Sequence, residues 1–119
     1  AISPDESLLY GASSATNSLR VIKISNNQLL KTLPTGNDPY GASLSKDGDT
    51  LITGNKIDGT VEIFSTKNYQ SLKVISGFNE PRQAILYSKS LGKIYVLQKD
   101  MSIGVVNYLQ KQPQIEVIN

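Results

Sequence analysis

The chain has 119 residues, a length typical of one domain, and its ten acidic and twelve basic side chains leave a net charge of +2. It contains neither Cys nor His, which excludes disulfides, thiolate and imidazole catalysis, and metals held by those ligands. The basic residues are scattered, which argues against a nucleic-acid surface, and no apolar run approaches the roughly 20 residues that span a bilayer.

Several features of the sequence recur at one spacing. Four pairs of identical residues each lie 42 positions apart: Asp5 and Asp47, Leu9 and Leu51, Pro39 and Pro81, and Asp58 and Asp100. A period in the low forties in a chain rich in short β-type runs is typical of a propeller blade. The recurrence therefore predicts an internal structural repeat.

Each repeat begins with a polar turn and a short β-rich run. The turns are residues 3–7 and 45–49, where an Asp can accept a hydrogen bond from the backbone just ahead. The third copy, residues 88–93, lacks the Asp, and we expect it to be one residue longer. Runs of strand-forming residues follow at 8–10, 51–53 and 94–97.

The second half of each repeat predicts two more strands. Asp58-Gly59 indicates a type I′ hairpin turn, in which both central residues have positive φ. Alternating apolar and polar residues then predict strands at 19–24, 60–65 and 103–106, and the last strands fall at 29–33, 72–75 and 115–118. Small residues at 41–44 suit a crowded inner strand near a propeller axis.

These elements predict an all-β fold, a β-propeller segment of about three four-stranded antiparallel blades with a period near 42 residues. The blades are expected at about 1–38, 39–80 and 81–119, with only three strands in the first. Because propellers close with about four to eight blades, we expect the chain to be part of a larger propeller. The alternative is that short chains assemble with a second copy into one ring.

The connections between blades are the candidate binding sites. They place Asp38 and Tyr40 at positions equivalent to Glu80 and Arg82. Arg82 could clamp a carboxylate or phosphate, and Tyr40 could stack on a ligand or form a hydrogen bond with it. In the alternative interpretation both acids bind loop amides and Arg82 pairs with a neighbouring carboxylate.

No catalytic residue, metal site or cofactor is predicted in this chain. Asn55 and Asp58 supply too few oxygens for Ca²⁺. Asp47 and Asp49 lie in a solvated hairpin, where we expect neither pKa to move far. Without His no Ser-His-Asp triad can form, and no Gly-rich phosphate loop is present.

The order of motifs resembles a known repeat family. Ser3-Pro4-Asp5, Leu9-Tyr10, an alternating strand and the segment TLPTGNDP at 32–39 are similar to YVTN-family β-propeller repeats. NHL-type repeats are the next resemblance, and the absence of Trp makes the WD branch a poorer fit.

The leading function is a non-catalytic scaffold that presents rim loops to a protein, peptide or glycan. The YVTN resemblance implies a periplasmic or cell-surface location. The alternative is part of a propeller enzyme, such as a lactonase or a quinone- or haem-dependent oxidoreductase, with its catalytic residues in blades outside this chain.

Overall fold

The computed structural model describes all 119 residues and consists of eleven β-strands joined by turns. In chain order the strands are β1 (Leu8–Ser13), β2 (Ser18–Lys23), β3 (Gln28–Pro34), β4 (Pro39–Leu44), β5 (Thr50–Asn55), β6 (Thr60–Ser65), β7 (Ser71–Ser76), β8 (Ile85–Ser88), β9 (Lys93–Leu97), β10 (Ile103–Asn107) and β11 (Ile115–Ile118). No helix in the structure could span a membrane.

The strands form three separate antiparallel sheets in chain order. The first sheet contains β1–β3, the middle sheet β4–β7 and the third sheet β8–β11, and neighbouring strands are always consecutive in sequence. An isolated bridge from Ile2 to Leu9 adds a short fourth position to the first sheet. This confirms the predicted all-β class and the three, four and four strands, and the sheets do not close into a ring.

The middle sheet packs against both neighbours. Successive residues of a strand point to opposite faces, so Leu51 and Phe64 face the first sheet while Ile52 and Ile63 face the third. The first junction also buries Tyr10, Leu19, Val21 and Leu33, and the second buries Val61, Ile75, Phe78, Ile85, Ile94, Val96 and Val106. Each junction is therefore an apolar layer between two sheets.

Lysines on the last strands of the first and middle sheets contact residues of the sheet that follows. The Nζ of Lys31 lies 5.6 Å from the centre of the Tyr69 ring in the middle sheet. Lys73, 42 positions later, donates from Nζ to the carbonyl oxygens of Tyr108 (2.7 Å) and Gln110 (3.0 Å) in the third sheet. In both contacts the lysine belongs to the earlier sheet and its partner to the later sheet, so the three stacked sheets have a defined polarity.

Backbone geometry repeats with the same period. Left-handed residues recur 42 positions apart at Glu6 and Gly48, at Asn17, Gly59 and Met101, at Asn27 and Tyr69, and at Asp38 and Glu80. The predicted type I′ turn is wrong, because of its two central residues only Gly59 has positive φ. Four residues separate the paired Asn55 and Thr60, and a loop of that length needs only its last residue in the left-handed region.

The first hairpin of the third sheet also differs from expectation. Ser88 pairs with Lys93 across four residues, and Ser45 N donates to the Thr50 carbonyl across four residues as well. The two turns therefore have the same length, and the extra residue expected in the third copy is absent. Gly92, at φ 64°, takes the left-handed conformation in this turn.

Candidate functional site

One end of the three sheets carries every predicted site residue. We call this end the rim; it comprises the connections 35–38 and 77–84 and the turns 14–17, 56–59 and 98–102. Tyr40 stands at the start of β4, and Arg82 precedes β8. Antiparallel order brings alternate turns to the same end of a sheet, which is why residues far apart in sequence meet here.

Hydrogen bonds fasten the connection before the middle sheet to neighbouring turns. Asn37 donates to the Asp58 carboxylate from its backbone N (2.8 Å) and its Nδ2 (2.9 Å). These bonds hold the pKa of Asp58 below its ordinary value. Asp38 N donates to Asn17 Oδ1 at 2.9 Å, which joins the first sheet to the same cluster.

Gly36 is required for this close approach. A Cβ at position 36 would lie 2.5 Å from Asp58 Oδ2 and 2.8 Å from Asn55 Nδ2. The sequence predicts Asp58 only as a turn residue. Its anchoring role depends on a partner 21 positions away, and the Asn recurring at 37 and 79 was the signal that could have revealed it.

The connection before the third sheet is held in a related way. Asn79 N donates to Gln98 Oε1 at 2.8 Å, and Arg82 N donates to the Leu97 carbonyl at 2.8 Å. Both partners belong to the third sheet or its rim turn. The rim connections are therefore braced by backbone hydrogen bonds.

The two equivalent acids have different surroundings. Asp38 and Glu80 both adopt left-handed backbone conformations, with φ of 61° and 44°. Glu80 forms an ion pair with Lys99 at 2.9 Å, whereas the Asp38 carboxylate has no hydrogen bond or ion pair within the chain. The hydrogen bond from Lys99, with smaller contributions from the charges of Lys56 and Arg82, lowers the pKa of Glu80.

Tyr40 and Arg82 keep their side-chain donors free. The Nζ of Lys56 lies 5.6 Å from the centre of the Tyr40 ring, a cation–π distance. Neither the Tyr40 hydroxyl nor the Arg82 guanidinium has a hydrogen-bond partner in the chain, although both side chains are half-buried. The charges of Lys56 and Arg82 both act on the Glu80 carboxylate, and Lys56 also lies near the Tyr40 ring.

At the opposite end of the sheets the predicted behaviour of Asp47 is wrong. Its pKa lies far below the ordinary value, first because the Lys89 ammonium of the third sheet bonds to it and then because Ser45 Oγ donates at 2.7 Å. Lys89 stands 42 positions after Asp47, in the repeat that lost its Asp. The pairing needs two neighbouring hairpins in space, which the local turn motif does not show.

The largest depression also lies at that opposite end. Its volume is about 750 Å³, and it is lined by Lys46, Asp47, Tyr87, Ser88, Lys89 and Ser90. It is open to solvent and contains none of the rim residues. Nowhere in the chain do three or more acidic side chains gather into a group able to hold a metal ion.

Of the comparisons with known proteins, only that with solved structures found similar proteins. No family model matches the chain, and no curated protein matches its sequence. Among solved structures, hydrazine synthase of Kuenenia stuttgartiensis is similar with a TM-score of 0.84 and 19% identity, covering 96% of this chain and 33% of that one. U3-55K and the WD40 repeats of RRP9 each have a TM-score of 0.77 and 19% identity, covering 99% of this chain and 37% of theirs.

These likenesses indicate a propeller-type fold. At 19% identity they show the fold alone, and the chain spans about a third of the length of the structures it matches. WD40 repeats share the four-stranded blade although this chain lacks the Trp of the WD signature. The YVTN resemblance stays a prediction.

Proposed function

We propose that this chain is a non-catalytic interaction scaffold of the propeller type, which binds a protein, peptide or glycan through its rim. One observation carries the proposal: Arg82 and Tyr40 present unpaired donors on a rim whose connections are already fastened. A guanidinium offers five N–H donors in a planar fork, and a Tyr offers a flat apolar ring with one hydroxyl.

A braced rim favours binding because little ordering remains to be done. Ordering of loops and side chains on association costs free energy, and the bonds from Asn37 and Asn79 have already fixed both connections. Tyr and Arg are also the residue types that most often dominate binding energy at protein interfaces.

Apolar side chains extend the same surface. Ile57 is 71% exposed and Met101 is 75% exposed, and both lie in rim turns. A ligand that contacts Tyr40 and Arg82 could bury these side chains as well. The combination suits a partner with a carboxylate or carbonyl acceptor beside apolar groups.

The WD40 neighbours support an interaction role, since they belong to the same class of fold. The resemblance to YVTN repeats supports a periplasmic or cell-surface setting, which fractionation of the native protein would test. Recovery in the cytosolic fraction would contradict that location.

The test of function is a binding screen with a paired variant. The wild-type chain is screened against immobilised peptides of acidic, basic and neutral composition and against a glycan array, and the best probe is titrated. We expect the double variant Tyr40→Ala/Arg82→Ala to weaken that binding at least tenfold, about 1.4 kcal/mol. Lys46→Ala, an exposed change at the opposite end, serves as the control.

Two results would contradict the proposal. One is that no probe binds the wild-type chain. The other is that the double variant binds as tightly as Lys46→Ala. Circular dichroism of all three proteins checks that the fold is unchanged.

A further inference from the structure

A row of apolar side chains crosses the outer face of the first sheet. Ile2 pairs with Leu9, Leu9 with Ile22, and Ile22 with Leu29, so the four lie side by side across the strands. Ile2, Leu9 and Leu29 are 57%, 37% and 51% exposed. Aligned residues of this kind are close enough to form one continuous surface. We call it the leading face.

The leading face repeats a surface that is buried elsewhere in the chain. Leu9 and Ile22 lie 42 positions before Leu51 and Phe64, which are 0% and 3% exposed. Leu51 and Phe64 are the residues by which the middle sheet packs onto the sheet before it. The leading face therefore has the composition of a surface that receives a preceding sheet.

The outer face of the third sheet resembles the face by which the middle sheet packs onto the sheet that follows it. Tyr95 lies 43 positions after Ile52, whereas Ile103 lies 42 after Val61, because the turn between β9 and β10 is one residue shorter than the turn between β5 and β6. Ile52 and Val61 are both fully buried where the middle sheet packs onto the sheet that follows it. We call this outer face the trailing face.

The trailing face is apolar and open. A shallow depression of about 190 Å³ on it is lined only by Ala84, Leu86, Tyr95, Leu97 and Ile103. Leu86 is 70% exposed and Ile118, which pairs with Ile103, is 53% exposed. Exposed contiguous apolar surface of this kind marks an interaction site.

We propose that a second copy of this chain packs its trailing face onto the leading face, head to tail. Two observations support this occupant. Each chain carries both complementary halves, and the same pairing of faces already occurs twice between its own sheets. Two chains that meet at both ends would give a ring of six sheets, within the range of about four to eight that closes a propeller.

The proposal is independent of rim binding, because both faces lie on the flat sides of the sheets. It is also heterologous, since different surfaces of the two chains meet. That polarity makes a distinctive experiment possible. A charge placed on one face disables that face and leaves the other face of the same chain intact.

The experiment compares the masses of the wild-type chain and two matched variants by light scattering and sedimentation. Leu9→Lys alters the leading face and Ile103→Lys the trailing face, at side chains that are 37% and 38% exposed. Ile57→Lys, at a 71% exposed rim position, is the control. Circular dichroism confirms that each variant is folded.

We expect the wild type and Ile57→Lys to have twice the 13.0 kDa mass of one chain. Either face variant alone has no intact complementary pair of faces and should be monomeric. An equimolar mixture of Leu9→Lys and Ile103→Lys restores one intact junction and should form a one-to-one heterodimer.

Three outcomes would overturn the proposal. A monomeric wild type would leave these faces to other occupants, such as further sheets of a longer chain. A single face variant that remains dimeric would indicate that like faces meet. A folded mixture that stays monomeric would exclude the head-to-tail junction.

Discussion

Met101 has a left-handed backbone conformation, and the equivalent residue of the middle sheet, Gly59, is a glycine. The equivalent residues Asn17, Gly59 and Met101 all have positive φ, at 49°, 65° and 69°. Asn and Gly tolerate this region, whereas a long side chain does so at a cost of about 1 kcal/mol or more. With 75% of its surface exposed, Met101 recovers little of that cost by packing.

We therefore predict that Met101→Gly stabilises the chain by about 1 kcal/mol. Urea unfolding followed by circular dichroism would measure the change. Met101→Ala is the control, because it removes the side chain but keeps the unfavourable conformation. Equal stability of the two variants would contradict the role assigned to the backbone.

Gly59 provides the reverse comparison at the same position of the middle sheet. A Cβ there would lie 2.6 Å from the Phe78 carbonyl oxygen, in addition to the left-handed strain. A side chain is therefore excluded at position 59, although the equivalent positions 17 and 101 carry Asn and Met.

At the scale of single elements, the Asp hairpins are small hydrogen-bonded units. Asp5 accepts bonds from Ser3 Oγ (2.8 Å), Ser7 N (3.0 Å) and Ser7 Oγ (2.7 Å). Bonds from Ser7 and Ser3 lower the pKa of Asp5 to about 2. Asp47 repeats the arrangement with Ser45 and Asp49 N.

These carboxylates predict a loss of stability in acid. An unfolded Asp has a pKa of about 3.9, so the contribution of Asp5 is complete above that value and is lost as the pH falls towards 2. We expect the urea midpoint to fall over this range, and to fall less steeply in Asp5→Asn. Parallel pH profiles for the two proteins would exclude a contribution from Asp5.

The hairpins also show which features of an element can be predicted from residues close to it in sequence. Strands such as β6 were predictable because apolar alternation and adjacent turn residues lie within a few positions of each other. The type of the turn at 56–59 was not predictable, because Asp58-Gly59 is compatible with several loop lengths. The pKa of Asp47 could not be predicted either, because Lys89 belongs to another hairpin.

The candidate site was predictable only as a location. The recurring Pro39 and Pro81 mark the connections, and antiparallel order brings both to one end. Which charges are paired there depends on side-chain reach across two sheets, as Lys99 and Glu80 illustrate. Local sequence carries no such information.

At the scale of the whole molecule, Phe78 links the rim to the second junction. Its side chain is 6% exposed, and its backbone N donates to the Gly59 carbonyl at 2.9 Å. A Cβ at Gly104 would lie 3.1 Å from the Phe78 ring, so the ring occupies space that glycine leaves open. The rim connection is thus anchored in the core.

We predict that Phe78→Ala lowers the free energy of unfolding by about 3–5 kcal/mol, because it leaves a cavity between two sheets. This is a large part of the stability of a small domain. Leu72→Ala, at a 60% exposed position, should change it by no more than about 0.5 kcal/mol. Similar urea midpoints for the two variants would show that the junction does not depend on Phe78.

The order of the strands has a consequence for folding. Every strand pairs with the one before or after it in sequence, so each sheet can form by closing short loops, whose entropic cost is small. No sheet must wait for a distant part of the chain, and assembly can start in any of the three and spread to its neighbours. A defect that unfolds one sheet would then remove packing from the adjacent sheet but leave that sheet's own hydrogen-bonded ladder complete.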